Sequence, residues 1–174
     1  VSATTATLML LPMFAPLVAE ATELMNRVPV IWIELHDCAG NTEALLRSSA
    51  PTVDDLLFDV LSLEFHHALM ACAGNDAEHQ LDDAVEHFKG KYLLFVEGSI
   101  PTAMNGNYGT IGPSGETFQE HLARLSKDAA AVVAVGTCAT FGGVPAASPN
   151  PTGAVGVMDL VKGKPIVNIP ACPA

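Results

Sequence analysis

Three of the four cysteines follow short apolar segments, and this placement is the strongest chemical signal in the sequence. Cys38 comes after "VPVIWI", Cys138 after "AAVVAVGT" and Cys172 after "PIVNIPA". If these runs are parallel strands, the three thiols meet at the carboxyl edge of one sheet, where open α/β folds bind ligands. Soft, anionic thiolates that converge in this way suit the irons of an iron–sulfur cluster. Packing of small buried cysteines and disulfide formation remain alternatives.

The fourth cysteine, Cys72, is set apart from these strand ends. It lies in "LMACAGND", which we interpret as a helical segment. A cysteine in such an alanine-rich stretch is typically a packing residue. Cys72 is nevertheless the only other thiol that could complete a set of four.

The alternation of apolar runs with helical patterns predicts the fold class. Continuous β-branched and aromatic runs are typical of parallel strands that are buried on both faces. Helical patterns lie between the runs, so the sequence predicts an α/β fold with a flavodoxin-like, doubly wound parallel sheet. The expected strands are Val28 to Ile33, Lys91 to Val96, Ala130 to Val135 and Pro165 to Ile169, with a weaker candidate at Leu61 to Phe65. The expected helices are Thr42 to Ser49, Val53 to Val60, Asp76 to Phe88 and Glu116 to Leu125.

The length and charge limit the possible functions. A chain of 174 residues is long enough for one domain with a real core, which we place at residues 28–174. Nineteen acidic residues against eight Lys and Arg give a formal net charge of −11. This charge repels phosphate backbones, so we expect no nucleic-acid partner. It would instead attract a basic electron-transfer partner.

Residues 1–27 differ in composition from the rest of the chain. Ala6 to Ala19 is apolar and uncharged, but it is broken by Pro12 and Pro16 and is too short to span a membrane. The sequence Ala19-Glu20-Ala21 has the small-x-small form of a signal-peptide cleavage site. We therefore interpret residues 1–27 as the remnant of an export leader with a linker, which predicts a periplasmic location. A helix docked on the domain is the alternative.

A flavodoxin-like reading of the first loop is a second functional hypothesis. The stretch "AGNTE" after Cys38 resembles the phosphate loop of flavodoxins, in which backbone amides at a helix start bind the flavin phosphate. Tyr108 and Phe141 are the aromatic residues available to flank a flavin ring. An FMN electron carrier would leave Cys138 and Cys172 without a role.

From Arg27 onward the sequence resembles the amino-terminal domain of the small subunit of a [NiFe] hydrogenase. The motifs that carry the resemblance are "PVIWIELHDC", "SLEFHH", "VEGSIP", "VGTCATFGG", "NPTGAV" and "VNIPACP", in this order. The apolar leader also resembles the end of the twin-arginine signal of such subunits. This resemblance implies a proximal [4Fe–4S] cluster with Cys38, Cys138 and Cys172 as three of its four ligands.

The resemblance also implies partners for the chain. The family's large subunit contains the nickel–iron centre, where the hydrogen chemistry takes place. The small subunit passes electrons between that centre and a redox acceptor such as a cytochrome, in some cases in association with the membrane. The family continues with a second domain that carries two more clusters, which we do not expect within residues 28–174. The related iron–sulfur subunit of respiratory complex I is an alternative, but it normally has adjacent cysteines after the first strand and no export leader.

The sequence departs from the family pattern at the fourth ligand. The family usually has Cys-x-Gly-Cys where this chain has Cys38-Ala39-Gly40-Asn41. Asn41 stands at the position of the missing thiolate, and we predict it as the fourth ligand. An amide is a poor iron ligand, and a helix cap is the alternative role for Asn41. Asp37, Cys72 and water are the other candidates. Gly40 and Gly143 stand where oxygen-tolerant relatives have extra cysteines, so a six-cysteine cluster is not expected.

Four further polar or aromatic residues lead to structural expectations. Adjacent residues on a helix or strand do not face each other, so a shared metal site of His66 and His67 is disfavoured. We expect both residues at the surface or in a subunit contact. Glu97 follows a predicted strand, and we expect it to hydrogen-bond backbone near the cluster. Trp32 is expected in the core.

Overall fold

A parallel sheet forms the centre of the computed structural model, which describes residues 27–174. The strands are β1 (Val28–Glu34), β2 (Leu61–His66), β3 (Leu93–Glu97), β4 (Thr110–Ile111), β5 (Glu116–Thr117), β6 (Ala131–Val135) and β7 (Ile166–Ile169). Five of them form one sheet in the order β2-β1-β3-β6-β7, and each neighbouring pair is parallel. This is the flavodoxin order, with β4 and β5 paired as a separate hairpin. The predicted fold class is confirmed.

Helices connect the strands and cover the sheet. They are α1 (Gly40–Leu46), α2 (Val53–Asp55), α3 (Asn75–His87), α4 (Phe118–Asp128), α5 (Gly136–Phe141) and α6 (Val157–Leu160), and a π-helical turn, Leu56–Val60, follows α2. None of the helices in residues 27–174 combines the length and apolarity that a membrane crossing requires. The predicted leader in residues 1–27 lies outside the described residues apart from Arg27, so its structural interpretation stays a prediction.

The register of the sheet explains why the strands read as continuous apolar runs. Trp32 of β1 is aligned with Phe95 of β3, which is in turn aligned with Val133 of β6. One face of the sheet packs Leu94 and its neighbours against apolar residues of α3 and α4, and the opposite face packs Trp32 and Val133 with Leu45 of α1. Both faces of the central strands are therefore buried, as parallel strands require. The core position predicted for Trp32 is confirmed.

The structure differs from the sequence prediction at two places near the sheet: one helix start was predicted wrongly, and one helix was not predicted. The helix expected from Glu116 begins two residues later, because the Thr117 side chain accepts a hydrogen bond from the Glu120 amide and caps α4. Glu116 and Thr117 instead pair with β4. The short helix α5 was not predicted, because Gly136, Thr137 and the following residues have no helical hydrophobic period.

The fold predicts a large difference between two leucine positions. Leu94 in the central strand is fully buried, whereas Leu46 in α1 is 42% exposed. Leu94→Ala should lower the free energy of unfolding by about 2–5 kcal/mol because it leaves a cavity in the core. Leu46→Ala, the matched control, should change it by no more than about 1 kcal/mol. Urea unfolding of the two variants beside the unchanged protein measures both values, and equal losses would contradict this packing.

Candidate metal centre

The three strand-end cysteines converge at one edge of the sheet. Cys38 lies between β1 and α1, Cys138 lies in the first turn of α5 directly after β6, and Cys172 follows β7. The Thr137 amide donates a 2.7 Å hydrogen bond to the Ala171 carbonyl, which ties the Cys138 and Cys172 segments together. The predicted convergence is confirmed, although the helical start at Cys138 was not foreseen.

The state of the cysteines argues against the two alternative readings. All four are free, so none of them forms a disulfide. Cys38 and Cys172 are exposed and Cys138 is half-buried, whereas packing cysteines are among the most buried residues. The thiols therefore line a surface, as expected for groups that hold a ligand or meet a partner.

The electrostatics at Cys138 show which groups lie around its sulfur. Burial is the largest cause that raises the pKa of the Cys138 thiol, and a hydrogen bond from the Val144 amide opposes it. The negative charges of Cys172, Cys38 and Asp37 raise this pKa further. A bound cation would reverse this balance, because a metal ion deprotonates the thiols that coordinate it.

Two glycines bring backbone close to the sulfurs. A Cβ atom at Gly143 would lie 2.5 Å from Cys138 Sγ, and the φ of +56° at this residue also disfavours a side chain. A Cβ atom at Gly40 would lie 3.2 Å from Cys38 Sγ. Side chains at these two positions would fill space beside the thiols, so the glycines keep the site open.

Glu97 at the end of β3 fixes the start of α1. Its carboxylate is fully buried and accepts hydrogen bonds from the backbone amides of Asn41 at 2.8 Å and Thr42 at 3.1 Å. The Thr42 hydroxyl at 2.7 Å and Trp32 Nε1 at 3.3 Å donate to it as well. These contacts confirm the prediction that Glu97 hydrogen-bonds backbone next to the cysteines.

The same contacts contradict the flavodoxin hypothesis for the "AGNTE" loop. A flavin phosphate would need the free amides at the start of α1. Glu97 already uses the amides of Asn41 and Thr42, and its negative charge would repel a phosphate. The loop that resembles a phosphate site is therefore filled by the protein's own carboxylate.

Asn41 links three segments of the site and does not cap α1. The residue at the cap position is Ala39, and Asn41 lies inside the first turn, so the helix-cap interpretation was wrong. Asn41 Oδ1 accepts a 2.8 Å hydrogen bond from the Ala174 amide. Asn41 Nδ2 donates to Glu97 Oε1 at 3.1 Å and lies 3.5 Å from the Val135 carbonyl oxygen. Its assignment as the fourth ligand remains a prediction.

Asp37 carries an oxygen atom without a hydrogen-bond partner. Asp37 Oδ1 accepts a 3.2 Å hydrogen bond from the Ala39 amide, whereas Oδ2 is buried and has no partner among the described residues. One carboxylate oxygen each of Asp37, Glu34 and Glu97 lie within 4.8 Å of one another. Burial, followed by the charge of Glu97, raises the pKa of Asp37 to about 7. A cation at this point would stabilise the charged form of Asp37.

Two predicted positions are corrected by the structure. Cys72 lies in the loop before α3, not in a helix, and is half-buried, with Sγ 3.6 Å from Gln80 Oε1. His66 is 2% exposed and stacks on Trp32 at 5.2 Å between ring centroids, so its surface prediction was wrong. Burial lowers the pKa of His66 to about 4, which keeps the ring neutral near pH 7. The signal that sequence reasoning missed is the position of His66 at the carboxyl end of β2, next to the buried Phe65.

The donor set therefore fits an iron–sulfur cluster. Three thiols lie at one edge, an unpartnered carboxylate oxygen lies in the residue before the first of them, and two glycines leave space beside the sulfurs. Soft thiolate ligands of this kind select iron–sulfur clusters over Mg²⁺ or Ca²⁺.

Comparison with known proteins identifies relatives of this chain. Residues 38–174 match the family model described as NADH ubiquinone oxidoreductase, 20 Kd subunit. The quinone-reactive Ni/Fe-hydrogenase small chain of Wolinella succinogenes is 49% identical over 171 residues, which are 98% of this chain and 48% of that protein. The hydrogenase-2 small chain of Escherichia coli is 44% identical over 155 residues, 89% of this chain and 41% of that protein. The chain thus spans about half the length of these curated relatives.

A solved structure supports the same relationship. The Ni-Fe-Se hydrogenase from Desulfomicrobium baculatum has a chain that superposes with a TM-score of 0.82 at 39% identity. The match covers 85% of this chain and 57% of that one. The resemblance to hydrogenase small subunits drawn from the sequence motifs is confirmed. The chain belongs to the family of the NADH ubiquinone oxidoreductase 20 Kd subunit, in which it matches the small chains of nickel–iron hydrogenases.

Proposed function

We propose that this chain is the electron-transfer part of a [NiFe] hydrogenase small subunit and that it holds a proximal [4Fe–4S] cluster through Cys38, Cys138 and Cys172. Electrons would pass through this site between the nickel–iron centre of a separate large subunit and downstream acceptors. The observation that carries the proposal is the set of three free thiols at the carboxyl edge of the sheet.

The chain's own residues would position the cluster. An iron–sulfur cluster supplies one-electron chemistry when it is bound. The rigid ends of β6 and β7 fix Cys138 and Cys172, and Glu97 holds the start of α1 so that Cys38 stays beside them. Precise placement of this kind matters because ligands on rigid elements keep their geometry when the oxidation state changes.

The exposure of two of the thiols supports a protein partner at this edge. Cys38 and Cys172 are exposed, and Phe141 at the end of α5 and Val144, three residues later, are 66% and 79% exposed. Large exposed apolar residues beside a redox site are typical of a surface that another subunit covers. A hydrogenase large subunit, which carries the nickel–iron centre, is the partner proposed here.

The leader and a relative's name support the location and acceptor that we propose. The export-leader pattern in residues 1–27 supports a periplasmic site or the periplasmic face of the cytoplasmic membrane. The Wolinella succinogenes relative is named quinone-reactive, and quinones are dissolved in membranes. We therefore propose a membrane-associated redox acceptor such as a cytochrome. The charge of −11 would favour a basic docking surface on it.

The function predicts that the full-length small subunit is found with a larger partner. When it is purified from its native host under anaerobic conditions, iron and acid-labile sulfide should accompany it, together with a larger subunit that contains nickel. The visible spectrum should show the broad absorption of a cluster. Purification as a well-folded lone subunit with resolved flavin bands and no iron would contradict the proposal.

Substitution of single cysteines tests the ligand set. Cys138→Ala or Cys172→Ala should cause loss of most of the iron of the proximal cluster and of its contribution to the visible absorbance, because each removes an anionic ligand at the edge. Cys72→Ala is the matched control and should keep both, since Cys72 lies in the loop before α3. Iron analysis and visible spectra of the three variants measure the outcome. Bleaching by Cys72→Ala alone would show that the ligand assignment is wrong.

Deletion of Ala6 to Ala19 tests the leader and the proposed location. In the full-length protein, the deletion should move the subunit from the periplasmic to the cytoplasmic fraction, because the apolar part of the signal is lost. Any subunit that assembles with its partner should keep its cluster. Cell fractionation with immunoblotting checks the location. An unchanged periplasmic fraction would show that this segment is not an export signal.

A further inference from the structure

We propose that Asp37 holds the fourth iron of the cluster through Oδ2 and that Asn41 braces the loops that carry the cysteines. This inference rests on the proposed function, because it requires the cluster. It replaces the simplest expectation from the sequence, in which Asn41 would coordinate iron because it stands where the family has a cysteine.

The polar atoms of Asn41 are already used within the protein. Its oxygen accepts the amide hydrogen of Ala174, two residues after Cys172, and its nitrogen donates to Glu97. A Cβ atom at Gly136 would lie 2.4 Å from Asn41 Nδ2, so the amide group packs directly against the backbone that leads into α5. Asn41 therefore connects α1 with the segments before Cys138 and after Cys172, which is a structural role.

Asp37 offers the free ligand atom that Asn41 lacks. Asp37 Oδ1 is held by the Ala39 amide, so the carboxylate is oriented, and Oδ2 is buried without a partner among the described residues. A buried polar atom that makes no hydrogen bond is costly, and coordination would remove this cost. A carboxylate is also anionic, as is the missing thiolate, whereas an asparagine amide is neutral.

Glu34 and Glu97, the other two acids of this group, differ from Asp37 in their hydrogen-bond partners. Glu34 Oε1 lies 2.8 Å from the Thr42 hydroxyl oxygen, and Glu97 is bound to the start of α1. Asp37 directly precedes Cys38 in the chain, and among the carboxylate oxygens of these three acids only its Oδ2 is buried without a hydrogen-bond partner in residues 27–174.

The proposal predicts the charge of the site. Three thiolates and one carboxylate carry the same formal charge as the four thiolates of the usual family pattern. Net charge is one of the factors that set the reduction potential of a cluster. A neutral ligand such as Asn41 would therefore raise the potential relative to four thiolates. The anionic Asp37 keeps the net charge, so it would not raise the potential through charge. An oxygen ligand is nevertheless harder than sulfur, so the iron that it holds should be the easiest one to lose.

The experiment compares variants of the full-length small subunit in its complex with the large subunit. Asp37→Ala should convert most of the proximal cluster to a three-iron form, seen as the loss of about one iron per subunit and as an additional EPR signal of an oxidised three-iron cluster that the unchanged protein lacks. Asp37→Cys should restore four irons, because a thiolate at the same position replaces the carboxylate ligand. This rescue shows that the Asp37→Ala subunit has lost a ligand and not its fold.

Two control variants address the other candidates. Glu34→Gln changes a member of the same acidic group and should keep four irons and an unchanged EPR spectrum. Asn41→Ala should reduce the yield of assembled subunit but keep four irons in the protein that does assemble, because it removes a brace and not a ligand. Mössbauer spectroscopy of each sample counts the iron sites and reports whether one of them differs from the other three.

The outcomes that would overturn the proposal are distinct. Formation of the three-iron form by Asn41→Ala, with four irons kept in Asp37→Ala, would assign the fourth ligand to Asn41. Four irons in both variants would assign it to water or to another residue. A three-iron cluster in the unchanged protein would show that no fourth iron is held. Absence of iron and sulfide from the unchanged protein would overturn the proposed function and this inference together, and only that outcome affects both.

Discussion

The hydrogen bonds of Glu97 are the interaction on which the cysteine edge depends. A buried carboxylate is unfavourable unless its oxygens are hydrogen-bonded. Here the carboxylate receives backbone amides from the first turn of α1, so the end of β3 and the start of α1 are stable only together. Because Cys38 directly precedes this turn, Glu97 determines where the first thiol stands relative to the cysteines that follow β6 and β7.

The same arrangement distinguishes the proposed cluster site from the flavin site of a flavodoxin. In both, the topology of a parallel sheet places the site at the carboxyl edge. Glu97 occupies the amides that would otherwise be free for a phosphate, and the thiols lie at the neighbouring strand ends. The side chains at one sheet edge, and not the fold, therefore distinguish the two chemistries.

The parts of the fold that follow from hydrophobic period were predictable, and the local contacts were not. The apolar runs predicted all five strands of the central sheet, including the partly exposed edge strands β2 and β7. The positions of Cys38, Cys138 and Cys172 followed from the strand ends. The first turn of α1 was misread because Asn41 resembles a cap by residue type. Its actual partners, Glu97 and Ala174, are far away in the sequence and are brought close only by the tertiary structure.

The sequence also could not predict that Asp37 Oδ2 has no hydrogen-bond partner among the described residues. An acidic residue beside a cysteine is common, and its importance here comes from burial and from the absence of a partner for Oδ2 among the described residues. His66 illustrates the same limit, because its burial against Trp32 depends on how β1 and β2 pair. Periodicity predicts which segments are buried, but it does not predict which polar atoms remain unsatisfied after folding.

Anomalous X-ray diffraction at the iron absorption edge, from crystals of the full-length small subunit with its partner, tests the central claim most directly. The account predicts a compact group of iron peaks at the carboxyl edge of the sheet, within bonding distance of the sulfurs of Cys38, Cys138 and Cys172. Absence of iron at this edge in the assembled complex, or iron bound at Cys72 in place of these three cysteines, would contradict it.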